Sequence, residues 1–161
     1  QHASNPADHG NDDGGSGTVF AVKTDGTAFT TLHIFEVLSR SSPHTNGDGA
    51  YPGAGLVLSG NTLYGTAAYG GSSGDGTVFA INLDGTGFTN LHIFNFNSDG
   101  AYPDAGLILS GNTLYGTAPA GDSWDHGTVF KVNTDGTGFT NLHPYLFLTL
   151  VPTATGFVRL H

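Results

Sequence analysis

Residues 48–94 read DGAYPGAGLVLSGNTLYGTAAYGGSSGDGTVFAINLDGTGFTNLHIF, and residues 99–145 read DGAYPDAGLILSGNTLYGTAPAGDSWDHGTVFKVNTDGTGFTNLHPY. The two stretches align without a gap at an offset of 51 residues and agree at 34 of 47 positions. The second half of the unit also occurs upstream, where Gly17-Thr18-Val19-Phe20 has the sequence that returns at 76–79 and at 127–130. A period near 50 residues marks propellers and solenoids, in which a unit buries its apolar face only against neighbouring units. The repeat therefore settles the architecture before any single residue is considered.

Each unit carries four short apolar segments: 55–58 (GLVL), 62–67 (TLYGTA), 76–82 (GTVFAIN) and 88–94 (FTNLHIF), with counterparts one period on. All are rich in β-branched or aromatic residues and bounded by turn formers, so each is read as a strand. Ser59-Gly60-Asn61 and Ser110-Gly111-Asn112 join the first pair of strands. Asp25-Gly26, Asp84-Gly85 and Asp135-Gly136 join the second pair, and such dipeptides tolerate the positive φ of a tight hairpin. Two hairpins in series make a four-stranded antiparallel sheet. No stretch sustains a 3.6-residue apolar period, so almost no helix is expected.

These units place the chain as all-β: tandem four-stranded antiparallel blades of β-propeller type, two full repeats plus a half, not closed as a monomer. The expected organisation is an N-terminal arm (1–16), a half repeat with a loop insertion at 37–45 (17–47), two full repeats (48–98 and 99–143) and a β-prone tail outside the repeat (144–161). Propellers typically close with about 4–8 blades, so two and a half leave sheet ends uncovered. Three outcomes follow: self-association that completes a ring, end-to-end polymerisation, or membership of a longer chain. The tail is a further candidate, able to supply the strands missing from the half repeat.

Composition excludes several functions. Four cations (Lys23, Arg40, Lys131 and Arg159) face thirteen acidic residues, for a net charge of −9. That charge repels phosphate backbones, so no nucleic-acid partner and no anionic membrane is expected. No apolar run reaches the length of a membrane helix, about 18–20 residues. Cysteine is absent, which removes disulfides and thiol chemistry. Methionine is absent too, even at position 1. This points to a cleaved leader or a fragment, and with the Thr/Asn/Gly-rich surface it leads us to expect a secreted or cell-surface protein.

Candidate sites are few. His33, His92 and His143 recur at one place in three repeats. Because they recur with the blade, they are read as structural, bonded to a neighbouring turn or strand, and not as a zinc site. Asn95-Phe96-Asn97-Ser98-Asp99-Gly100 matches the opening of a calcium loop. Asn95, Asn97 and Asp99 are accordingly the candidate calcium ligands, with a plain Asx turn as the competing reading and no other cofactor expected. Asp25, Asp84 and Asp135 are accounted for by their turns. With one glutamate, Glu36, and no nucleophile elbow or phosphate loop, the chain is not expected to be an enzyme. Tyr51 and Tyr102 stand before prolines between units, and Trp124 lies in the variable segment 118–126. Variable loops on a repeated scaffold hold ligand contacts. These three aromatics are therefore the candidate glycan-binding residues, since rings flanked by Asp and Asn suit a sugar; blade packing is the competing reading for the repeated Tyr51 and Tyr102, and Trp124, without a repeat counterpart, is the better candidate.

At GTVFAINLDGTGFTNLHIF and LSGNTLYGTA the chain resembles GloVer-type tandem repeats, found in multiples in secreted or surface bacterial proteins, with Kelch-like propellers as architectural relatives. The resemblance covers 17–143. It implies a propeller-like fold and export, and it implies no reaction. Structural or interaction work, with partners being other copies or adjacent repeats, is the function expected; a carbohydrate-binding module is the alternative, and a polysaccharide-acting enzyme ranks below both.

Overall fold

A computed structural model of the protein describes residues 15–121 and 127–144, with the backbone alone for His143 and Pro144. Among the described residues every regular element is a β-strand. Most of the expected arm, Trp124 and the tail beyond Pro144 lie outside them. Strands β1 (Thr18–Ala21) and β2 (Thr30–Ile34) form a two-stranded half-blade. The middle blade holds β3 (Val57–Ser59), β4 (Thr62–Ala67), β5 (Thr77–Asn82) and β6 (Thr89–Ile93). The far blade holds β7 (Ile108–Ser110), β8 (Thr113–Ala118), β9 (Thr128–Asn133) and β10 (Thr140–Pro144). Within each sheet, sequence neighbours pair antiparallel in chain order. The ten strands form three separate sheets and do not close.

The first strand of each full blade is shorter than its apolar run suggested. Only Val57–Ser59 pairs with β4, and Leu56 before it serves packing instead. The reason is Gly65 in the centre of β4. A Cβ there would stand 2.5 Å from Leu56 Cδ2 and 2.7 Å from Phe79 Cζ, so the absent side chain is where leucine and phenylalanine meet. Gly116 plays the same part under Leu107 and Phe130. A residue that looks like a strand weakener is thus required by close approach.

The Asp-Gly turns are wider than two-residue hairpins. Gly85 N donates to Asn82 O, and Asp84 Oδ1 accepts from Thr86 N (2.9 Å) and Thr86 Oγ1 (2.7 Å). The same bonds recur at Asp25/Thr27 and Asp135/Thr137. These bonds stabilise the charged carboxylate and hold all three aspartates below the ordinary carboxylate value, the threonine hydroxyl contributing most. The loop at 37–45 folds on itself through Ser39 N to Thr45 O and Thr45 N to Ser39 Oγ, both 2.8 Å.

The core lies between blades, as the repeat pattern requires. Each sheet has a leading face, turned to the preceding sheet, and a trailing face, turned to the next. Between half-blade and middle blade, Val19, Leu32 and Phe35 pack on Ala67, Phe79 and Ile81. Between middle and far blades, Tyr64, Val78, Ala80 and Phe94 pack on Leu107, Leu114, Phe130 and Val132. In β5 the buried residues therefore alternate in destination: Val78 and Ala80 go forward, Phe79 and Ile81 backward.

Candidate functional site

Each seam between blades is closed by the same constellation, built on the histidine of the outermost strand. In the first seam His33 donates from Nε2 to Asp48 Oδ2 at 2.8 Å. Its ring lies flat on Phe88 of the next blade (centroids 3.8 Å apart, 8° between planes) and meets Phe35 edge-on at 4.8 Å. In the second seam His92 Nε2 reaches Asp99 Oδ2 at 2.6 Å, lies on Phe139 at 3.4 Å and 5°, and meets Phe94 edge-on at 4.9 Å. Each aspartate sits in the linker and is held by backbone: Asp48 accepts from Glu36 N, and Asp99 from Asn95 N. Its own carbonyl accepts from a threonine of the blade, Thr77 or Thr128. Burial between two phenylalanines pushes the His92 imidazole below its ordinary 6.5, against the opposing pull of the Asp99 carboxylate.

The expectation that these histidines are structural and bonded to a neighbouring segment matches what His33 and His92 do. His143 occupies the same register in β10, opposite Val129, as His92 does opposite Val78 and His33 opposite Val19. The aspartate partners were not assigned from the sequence. Their signal was present, because Asp48 and Asp99 fall at one repeat position.

The candidate calcium ligands are drawn into this seam. Asp99 has one oxygen on His92, while the other accepts from Asn95 N and from Ser98 Oγ. Asn95 Oδ1 accepts from Asn97 N at 3.1 Å, which is an Asx turn. Among the described residues no group of three His, Asp or Glu side chains is placed to hold a metal ion.

Tyr51 and Tyr102 are brought into one row by a residue the sequence reading did not single out. Tyr69, from the variable loop of the middle blade, lies between them. Its ring is 5.6 Å from Tyr51 and 5.1 Å from Tyr102. Tyr51 and Tyr69 are about half exposed. Tyr51 and Tyr102 have φ of 58° and 60°, the left-handed region that β-carbon sterics disfavour. The strain is held by Tyr51 N donating to Ser16 O (2.5 Å) and Tyr102 N to Asp75 O (2.9 Å), bonds back to the preceding blade. Tyr69 has no tyrosine counterpart, since Ala120 stands at its place, so the repeat alone did not single it out. Trp124, the third candidate, lies outside the described residues.

Two faces of the seam type lack a partner among the described residues. On the leading face of the half-blade Phe20 is 53% exposed, Val22 49% and Phe29 64%. Their equivalents Phe79, Ile81 and Phe88 line the first seam. Phe20 and Phe29 stack only on each other, at 5.1 Å. A groove of about 170 Å³ opens beside Phe20, between β1 and the segment before β3, lined by Thr18, Val19, Phe20, Pro52, Ala54 and Leu56. On the trailing face of the far blade stand Ile108, Tyr115, Val129 and Leu142, the equivalents of Val57, Tyr64, Val78 and Leu91 in the second seam, and Leu142 is 46% exposed.

The arrangement defines an open stack of propeller-type blades, a tandem-repeat β-protein. Residues 7–151 match the model of the Gloeobacter/Verrucomicrobia repeat, and the chain belongs to that family. No curated protein matches the chain. Among solved structures, a chain in the crystal structure of a nidogen/laminin complex has a similar, propeller-like fold, at a TM-score of 0.51 and 18% identity. The match covers 80% of this chain and 41% of the nidogen/laminin one, so the protein spans about two fifths of that chain's length. No helix among the described residues is long and apolar enough to cross a membrane.

Proposed function

We propose that the protein is an exported, non-enzymatic interaction protein whose blade stack is completed by contact with further blades, either as a self-associating unit or as part of a larger propeller or polymer. The observation that carries this reading is the leading face of the half-blade. Phe20, Val22 and Phe29 stand in water at positions whose equivalents are seam residues in both other blades. An exposed aromatic patch built like an existing interface marks an interaction surface. Light scattering across a concentration series tests it. A mass that rises above the 16.5 kDa of one chain supports the reading, and a constant 16.5 kDa at every concentration refutes it.

A second reading is favoured by the Tyr51–Tyr69–Tyr102 row. Three contiguous rings at the end of two blades offer stacking surface to a sugar, with Trp124 as an additional candidate. In this reading the blades are a scaffold and the linkers the binding site. A glycan array with the wild type, Tyr69→Ala and Trp124→Ala decides it. Binding that one of the substitutions removes supports the module, and an array without signal rejects it.

A further inference from the structure

We infer that two copies of this chain join head to tail at both ends and close a ring of six sheets, four full blades and two half-blades, the exposed Phe20/Phe29 face of each receiving the trailing face of the other. This rests on the self-associating reading above and specifies its partner, polarity and number.

The molecule contains two worked examples of the contact. In each seam a trailing face supplies a histidine, an edge-on phenylalanine and aliphatic side chains, and a leading face supplies the phenylalanine on which the imidazole lies. The described residues leave one spare face of each kind. The spare leading face has Phe29 where Phe88 and Phe139 take their imidazoles. The spare trailing face has His143 in the histidine register of β10, with Leu142, Tyr115 and Ile108 at the positions of buried or partly buried seam residues. Neither face complements itself. Two leading faces would set phenylalanines together with no histidine between them, so an isologous dimer leaves the seam unbuilt.

A contact between unlike faces is heterologous, and it either closes or grows into a filament. Closure requires the same rotation at every seam. The described residues of each copy contribute two full blades and a half-blade. Two copies then give six sheets round the ring, four full blades and two half-blades that each carry a seam on both faces, and six positions fall within the range of about 4–8 at which propellers close. The joining seam is weaker than those inside the chain, for two reasons. The half-blade lacks equivalents of β3 and of β4, and β4 contributes Leu63 and Ala67 to the first seam. The repeat offset also places Leu150 where Asp48 and Asp99 stand, so the third histidine has no matching aspartate. With −9 on each copy, charge opposes the union, and added salt strengthens it.

Complementation between two variants tests the polarity. Phe29→Asp charges the leading face and Leu142→Asp the trailing one. Both side chains are substantially exposed, so both variants keep the wild-type strand signal and a cooperative melt, checked by circular dichroism. The wild type is expected to stop at two copies in light scattering, while each variant alone stays at one. A 1:1 mixture of the variants recovers the two-copy mass, because one intact leading face still meets one intact trailing face. An associating wild type whose Leu142→Asp variant also associates, or whose variants fail to complement, overturns the head-to-tail ring and leaves the interaction reading standing. Masses that climb past two copies overturn closure in favour of a filament. A wild type that is monomeric throughout overturns both.

Discussion

The leading-face phenylalanines make one sequence position report on three environments. Phe29, Phe88 and Phe139 are repeat equivalents. Phe139 lies on His92 at 3.4 Å and packs near Phe94 and Phe130, at 5.9 and 5.8 Å between centroids. Truncating a phenylalanine in a packed interior costs about 3–5 kcal/mol. Phe139 is only partly buried, so Phe139→Ala is expected near the bottom of that range, about 3 kcal/mol. Among the described residues Phe29 has one aromatic neighbour, Phe20, and it is 64% exposed. Phe29→Ala therefore forfeits one aromatic pair, about 0.5–1 kcal/mol. With a urea m-value of about 2 kcal/mol/M, the two midpoints should separate by about 1 M. Urea titration followed by circular dichroism, at sub-micromolar protein, measures this before association can bury Phe29. At high concentration the gap should narrow, because the joined copies now need Phe29. Equal losses for the two variants at high dilution would refute the reasoning, since Phe29 would then be buried within a single molecule.

Three further outcomes are expected. Ala28 has φ of 55° where the other two units have Gly87 and Gly138, so Ala28→Gly relieves a left-handed alanine and should stabilise the half-blade by about 0.5–1 kcal/mol, read as a raised urea midpoint. His92 is held below its ordinary 6.5 by burial; the unfolded chain therefore binds the proton more readily, stability from this group is fully present above pH 6.5, and it is lost as the pH falls through the folded value. Thermal melts from pH 7.5 down to 5 should show a falling midpoint, and His92→Gln should flatten that slope. Millimolar calcium against a chelator should leave the melting midpoint unchanged, because both oxygens of Asp99 already have protein donors; a raised midpoint would restore Asn95, Asn97 and Asp99 as ligands.

What the sequence disclosed was whatever the repeat writes twice. Strand identities, their antiparallel order and the inward histidines follow from apolar alternation and from recurrence. What it disclosed poorly depends on contacts across the repeat boundary. Asp48 lies fifteen residues after His33, yet Asp99 lies seven after His92, because a loop is inserted in one linker. No fixed spacing could suggest the pair, and the same Asp99 read locally as a cation ligand. The need for Gly65 and Gly116 was not legible in the sequence, because their neighbours, Phe79 and Phe130, sit on the next strand of the same blade. Tyr69 escaped notice for the opposite reason: it is written once, and its value comes from lying between two residues that are written twice.

The histidine–aspartate pair explains why an apolar seam needs polar groups. Phenylalanine, valine and isoleucine facing one another bury area without fixing angle, and blades joined only that way could pivot. In each seam the imidazole is constrained on three sides: face-on by the next blade's phenylalanine, edge-on by its own, and at Nε2 by a carboxylate anchored to the linker backbone. Partly buried polar pairs add little net stability, and geometric specificity is their better-attested use. Here the specificity is in how one blade seats on the next, and both seams use near-identical sets of contacts. A constant angle is what separates a ring from an irregular chain of sheets. The two pairs therefore account for order inside the chain, while the seam between copies keeps the histidine register of β10 without a matching aspartate and is the weaker one.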